Sequence, residues 1–175
     1  LAFKKEYLDS WRSDKKKNHH NILDSLAIHY LDLILFQMGT IKSSNYYPRL
    51  VSKKGDSYDT CRLALETVNA SVIIYCSYAN PKINEIVIIG TNGYITIRDN
   101  KKEIFSPRDT FDPKGFFVKP PMIENKDFNF ENEYIDSLKK SLEYFMEYVK
   151  NKKLIDLENF DKGIMTTKLL IELKQ

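Results

Sequence analysis

The stretch Asn21-Ile22-Leu23-Asp24-Ser25-Leu26-Ala27-Ile28-His29-Tyr30-Leu31-Asp32-Leu33-Ile34-Leu35-Phe36-Gln37-Met38-Gly39 decides how the rest of the chain is read. Apolar side chains at Ile22, Leu23, Leu26, Tyr30, Leu31, Leu33, Ile34, Phe36 and Met38 recur at helical spacing, and Gly39 supplies a stop just past the last turn. The pattern predicts one helix over residues 21–38. Because apolar residues fall on nearly every side, that helix is expected to be largely buried. Asp24, His29 and Asp32 interrupt the run, so it falls short of the roughly 18 apolar residues that a membrane span needs.

Outward from this helix the pattern changes to strands. Residues 58–68 and 71–78 are separated by Asn69-Ala70, a short connection suited to antiparallel neighbours. Residues 83–89 form a β-branched run that turns through Gly90-Thr91-Asn92-Gly93 into residues 94–98, with Asn92-Gly93 as the expected turn pair. Residues 102–105 add a further strand, and residues 2–8 could form one before the helix. Residues 106–130 hold four of the six prolines with Gly115 and read as an irregular excursion. Two helices close the chain. The first, over residues 132–150, places Tyr134, Leu138, Leu142, Phe145 and Val149 on one face; the second starts near Glu158 and carries Ile164, Leu169, Leu170 and Leu173. Helix, hairpin-connected strands, then helices predicts an α+β fold: a largely antiparallel open sheet with helices on one face. Residues 71–78 and 83–89 are apolar at successive positions, which suggests that the open face is covered by a second subunit.

Composition narrows the function classes. With 175 residues the chain has the size of a single domain, 1–175. Apolar residues at 42% and charged residues at 29% describe a globular chain rather than a disordered one. Lys and Arg number 27 against 24 Asp and Glu, a net charge of +3. That balance is no footprint for nucleic acid, and Lys15 to Lys17, Lys53-Lys54 and Lys152-Lys153 read as solvated corners. Cys61 and Cys76 could form one disulfide on count alone, but nothing in spacing or size calls for a stapled scaffold, so reduced thiols and a cytoplasmic location are expected. No signal peptide is visible, and a first residue of Leu1 rather than Met suggests a chain that begins inside a longer protein.

Three stretches together resemble the carboxy-terminal domain of the glucose–fructose oxidoreductase, inositol dehydrogenase and MocA family. They are Trp11-Arg12 followed by the run from Leu23 to Leu33 and Gly39; the hairpin over residues 86–97 with its Gly-Thr-x-Gly turn; and the closing helices with Phe145 on the inner face of the first. The match spans nearly the whole chain in consistent order. The resemblance implies a two-domain enzyme in which a Rossmann domain, not present in these residues, binds NAD or NADP, while this domain holds the substrate. It implies hydride transfer to or from a sugar, polyol or nucleotide-sugar hydroxyl carbon. His29 would move the hydroxyl proton, and a lysine from a Glu-Lys-Pro motif would come from the other domain. The isolated chain is then expected to be inactive.

Chemistry supports His29, because imidazole titrates near neutral pH and a helix fixes its direction. The competing reading is a core histidine bonded to a carboxylate or carbonyl. Four residues before it stands Ser25, where the family most often has Asp; a serine can bind substrate or imidazole but brings no charge. Asp24 lies about 100 degrees around the helix and cannot replace it unless the helix start is shifted. His19 and His20 occupy the family's glycine-rich bend. Adjacent histidines point apart, so no metal site is expected and His20 is read as a polar wall of the substrate pocket. Arg12 is a candidate for substrate or cofactor contact through its guanidinium fork, or a partner of Asp9 or Asp14. Asp32 is expected to orient the helix. Gly90-Thr91-Asn92-Gly93 lies between strands and is no phosphate loop, and Val118-Lys119-Pro120 lacks the preceding Glu of the catalytic motif. The alternative reading is a non-catalytic binding or dimerisation module on the same fold.

Overall fold

A computed structural model describes residues 10–151 and 157–175. In chain order the regular elements are a 3₁₀ turn Trp11–Ser13, α1 (Lys15–Asn18), a π turn Leu23–Ala27, α2 (Ile28–Met38), β1 (Ile41–Arg49), β2 (Thr60–Thr67), β3 (Ser71–Ser77), β4 (Glu85–Gly90), β5 (Gly93–Arg98), β6 (Lys101–Phe105), β7 (Met122–Asp127), α3 (Phe130–Asn151) and α4 (Leu157–Glu172). The class is α+β with open antiparallel sheets. The strands divide between two sheets, β1-β2-β3 and β4-β5-β6-β7, rather than lying in one. Contacts separate two compact units, Leu1–Pro81 with Ile155–Gln175, and Lys82–Leu154. The expected strand over residues 2–8 lies outside the described residues.

The first unit follows from period-two patterning on β2. Cys61, Leu63 and Leu65 turn inward while Arg62 and Glu66 turn out, and β3 adds Ile74 and Cys76 to the inner side. Ile22, Leu23, Ala27 and Leu31 cover that face, and Leu170 of α4 completes the cluster. Each of the buried Leu and Ile side chains stabilises the unit by about 1.5–3 kcal/mol. The buried residues of the helix repeat every four positions, from Leu23 through Ala27 and Leu31 to Leu35. A helix resting on a three-stranded sheet needs only one buried stripe. The expectation of burial all round is therefore corrected: Leu33 is 43% and Phe36 57% exposed, and His29 is exposed with them. Gly39, at φ 80°, ends α2 where the sequence placed the stop.

β1 was not expected as a strand, since Ile-Lys-Ser-Ser-Asn-Tyr-Tyr-Pro-Arg shows little apolar alternation. It forms the sheet edge, where Pro48 removes no interior hydrogen bond. The connection to β2 closes around Asp59, which is buried and accepts the Val51 and Ser52 amides, both at 2.9 Å, with the Thr60 hydroxyl at 2.9 Å. Gly55 is required in this connection: at φ 68° a Cβ would lie 2.7 Å from the Ser13 carbonyl.

In the second unit Gly90 pairs with Gly93, so Thr91-Asn92 forms the hairpin tip, one residue earlier than the sequence suggested. Gly93 instead opens β5, because a Cβ there would stand 2.1 Å from the Phe105 carbonyl oxygen. Asn129 caps α3 by accepting the Asn132 amide at 3.1 Å. β7 lies within the stretch expected to be irregular. Phe105 is the buried apolar residue of this unit among the described residues, and α3 buries none. Phe145, expected on an inner face, is 64% exposed.

Candidate functional site

His29 sits in the first turn of α2, directly after the π turn. A π turn carries one residue more per turn than an α-helix and so re-aims the side chains that follow it. His29 opens on a hollow of about 530 Å³ lined by Leu26, Tyr30, Asp32, Leu33 and Phe36. These residues follow from helical spacing: counted from His29, Asp32, Leu33 and Phe36 stand three, four and seven positions on. The lining is chiefly apolar, with imidazole and one carboxylate as its charged-capable groups. Asp32 is held from α4, whose Thr166 hydroxyl donates to Oδ1 at 2.8 Å. Lys162, one turn earlier on α4, places its ammonium 4.9 Å from the Phe36 ring centroid. Burial raises the Tyr30 hydroxyl above the ordinary tyrosine range, so it stays protonated at neutral pH.

Ser25 points elsewhere. Its hydroxyl donates to Asn21 Oδ1 at 2.6 Å, and the Asn18 amide reaches the same oxygen at 3.4 Å. It also meets the Tyr78 hydroxyl, which burial pushes up while Ser25 and the Arg12 charge oppose the shift. Arg12 itself is exposed, its guanidinium 4.8 Å from the Trp11 ring centroid. Asp14, one of its suggested partners, lies 3.5 Å from Lys17.

His20 is fixed on a third side. Its Nδ1 is 3.1 Å from the Tyr46 hydroxyl, and the His19, Tyr46 and Tyr58 rings surround it. Burial, then His19 and Lys174, lower its pKa; Asp24 acts the other way. Asp24 Oδ1 lies 2.5 Å from Lys174 Nζ, so this carboxylate is engaged by the end of α4. Among the described residues no group of three or more His, Cys, Asp or Glu side chains is arranged for a metal. Cys61 and Cys76 face each other across β2 and β3 as free thiols, and their mutual hydrogen bond with burial keeps Cys61 protonated.

The four sequence candidates thus lie in three settings: His29 on the hollow, Ser25 with Tyr78 and Arg12, and His20 with Tyr46. Sequence reasoning passed over Leu33 and Phe36 because it buried them, and over Lys162, Thr166 and Tyr78 because only tertiary structure brings them to these places.

Comparison with known proteins follows this geometry. The model described as "Oxidoreductase family, C-terminal alpha/beta domain" matches residues 2–173. No curated protein matches the chain. Solved structures do. An oxidoreductase from Thermotoga maritima aligns with a TM-score of 0.68 at 18% identity, over 99% of this chain and 47% of its own. An oxidoreductase from Agrobacterium radiobacter, solved with NAD+, L-tartaric acid and magnesium, aligns at 0.62 and 18% identity over 93% and 48%. GenD2 from gentamicin A biosynthesis, solved with NAD, aligns at 0.63 and 18% identity over 93% and 47%. At these identities the likeness concerns the fold. The chain spans about half the length of each of these structures.

Proposed function

This chain belongs to the glucose–fructose oxidoreductase, inositol dehydrogenase and MocA family through its C-terminal alpha/beta domain, and on that footing we propose that residues 1–175 are the substrate-side half of an NAD(P)-dependent oxidoreductase. The reaction is hydride transfer to or from the hydroxyl carbon of a sugar, polyol or nucleotide-linked sugar. NAD solved with two of the structural neighbours supports the cofactor class.

The residues present fit one end of such a cofactor. The wall formed by Leu26, Tyr30, Leu33 and Phe36 offers an apolar surface for a nicotinamide ring and substrate. The sequence has no Gly-x-Gly-x-x-Gly turn leading into a helix, so the pyrophosphate belongs to a partner Rossmann domain. The cofactor, when bound, supplies the hydride acceptor or donor. Within this chain, His29 takes the proton of the reacting hydroxyl or returns it, and Asp32, steadied by Thr166, fixes the turn that carries His29. Arg12, Ser25 and His20 lie away from the hollow, so the substrate contact proposed for them is to parts of the substrate remote from the reacting carbon. The setting is cytoplasmic, and the open sheet face is the contact surface of a homo-oligomer. Among the described residues no helix is long and apolar enough to cross a membrane.

The observation that carries this reading is that His29 opens on a hollow instead of turning into the core. In the full-length protein, His29→Ala is expected to lower kcat by about 10²-fold or more while leaving the NAD(P)H dissociation constant within about threefold. Unchanged turnover would remove His29 from the site. The isolated chain is expected to show no NAD(P) binding by calorimetry and no turnover. A second reading, a non-catalytic assembly module, is favoured by the exposed apolar residues of β4, β7 and α3. It is selected if the full-length protein self-associates through this domain and yet binds no nicotinamide cofactor.

A further inference from the structure

At the start of the helix that carries His29, on a side facing away from the hollow, lies a group of titratable residues that the proposed hydride chemistry leaves without a task beyond substrate contact. Lys174 follows the last turn of α4, and its ammonium lies 2.5 Å from Asp24 Oδ1, each side chain a little over a quarter exposed (29% and 27%). This ion pair fastens the end of α4 to the π turn. His20 stands four residues before Asp24, one turn back on the same side. His19 beside it, Tyr46 from β1 and Tyr58 from the segment before β2 meet its ring, while the charges of Asp24 in the π turn and Lys174 at the end of α4 act on it at longer range.

We propose that His20, Asp24 and Lys174 form a pH-responsive catch, which holds α4 against the His29 helix near neutral pH and releases it in mild acid. While His20 is neutral, the Tyr46 hydroxyl can donate to its Nδ1 and the Asp24 carboxylate serves Lys174 alone. A proton on His20 removes that acceptor and adds a second cation one helical turn from the Asp24–Lys174 pair. Burial, then His19 and Lys174, already hold the His20 pKa below its ordinary 6.5. Freeing the end of α4 hydrates the ring and withdraws Lys174, so the released form binds the proton more readily. The fastened form is therefore at full strength above pH 6.5 and loses ground as pH falls below that value. The consequence reaches the hollow, because α4 brings Thr166 to Asp32 and Lys162 to Phe36.

Hydrogen exchange read by mass spectrometry on the full-length protein tests this, with peptides from residues 157–172 compared at about pH 7.5 and about pH 5.5 after correction for intrinsic rates. Opening of α4 is expected to rise about threefold or more in acid, while β2 peptides keep their protection. His20→Asn keeps a partner for Tyr46 but cannot charge, and should flatten the response. Lys174→Gln should raise opening at the higher pH toward the acid level of the parent and shrink the pH dependence. His19→Asn should leave the response intact. The proposal is overturned if the parent shows no pH response in α4, if His20→Asn or Lys174→Gln keeps it in full, or if it disappears in His19→Asn. The readout is independent of turnover, so loss of the catch and failure of the His29 assignment remain distinguishable.

Discussion

The two units bury their apolar residues to opposite degrees. In the first, β2 alternates cleanly and the helix through residues 22–35 lays a four-residue stripe over it, so Leu63, Ile22, Leu23 and Leu31 are fully enclosed. In the second, β4 and α3 are rich in apolar residues, yet Phe105 is its buried apolar side chain among the described residues. Where helix and sheet match faces, a core forms and leaves a free helix side on which His29 can meet a ligand. Where the faces stay uncovered, the same residue types lie open at the surface.

The sharpest probe of this contrast pairs one truncation from each unit. Leu63→Ala is expected to lower unfolding free energy by about 3 kcal/mol in urea titrations, since it empties a fully enclosed position. Leu142→Ala, on the exposed stripe of α3, should change it by less than about 0.5 kcal/mol in a monomeric sample. A large effect at Leu142 would break the comparison and show that the stripe is covered in solution. Next in size is Gly93→Ala, expected to cost about 2 kcal/mol because a Cβ meets the Phe105 carbonyl; a neutral result in the same titration would mean that the β5–β6 pairing yields easily. Smaller than the Gly93 effect is that of Thr166→Val, expected to cost about 1 kcal/mol and to raise exchange in α4, since it deletes the hydrogen bond to Asp32. No change in α4 exchange would mean that Asp32 does not help to hold α4 in place.

Much of the fold could be read from the sequence, for reasons that also explain what could not. The helix ending at Gly39, the paired strands β2 and β3, the β4–β5 hairpin and both closing helices carry strong periodicity or turn chemistry. β1 and β7 do not: each is a sheet edge with a polar composition, and all six residues of β7 are exposed. The division into two sheets leaves no local signal, because pairing of β3 with β4 or its absence depends on distant surfaces. At the hollow, spacing alone puts Asp32, Leu33 and Phe36 on the side of the helix that carries His29, but it does not show that this side is exposed. The π turn was not legible, since no residue of Leu-Asp-Ser-Leu-Ala demands one. Nor could sequence show that Asp24 turns to Lys174 and His20 to Tyr46, contacts set by the docking of α4 and β1.

The account stands on His29 being both reachable and required. Carbethoxylation of the full-length protein by diethyl pyrocarbonate, followed by peptide mass spectrometry and residual activity, tests both at once. His29 is expected to react ahead of His20, which Tyr46 and its neighbouring rings enclose, with activity falling in step and with substrate plus cofactor slowing both. Full activity in protein whose His29 is completely modified would contradict the assignment.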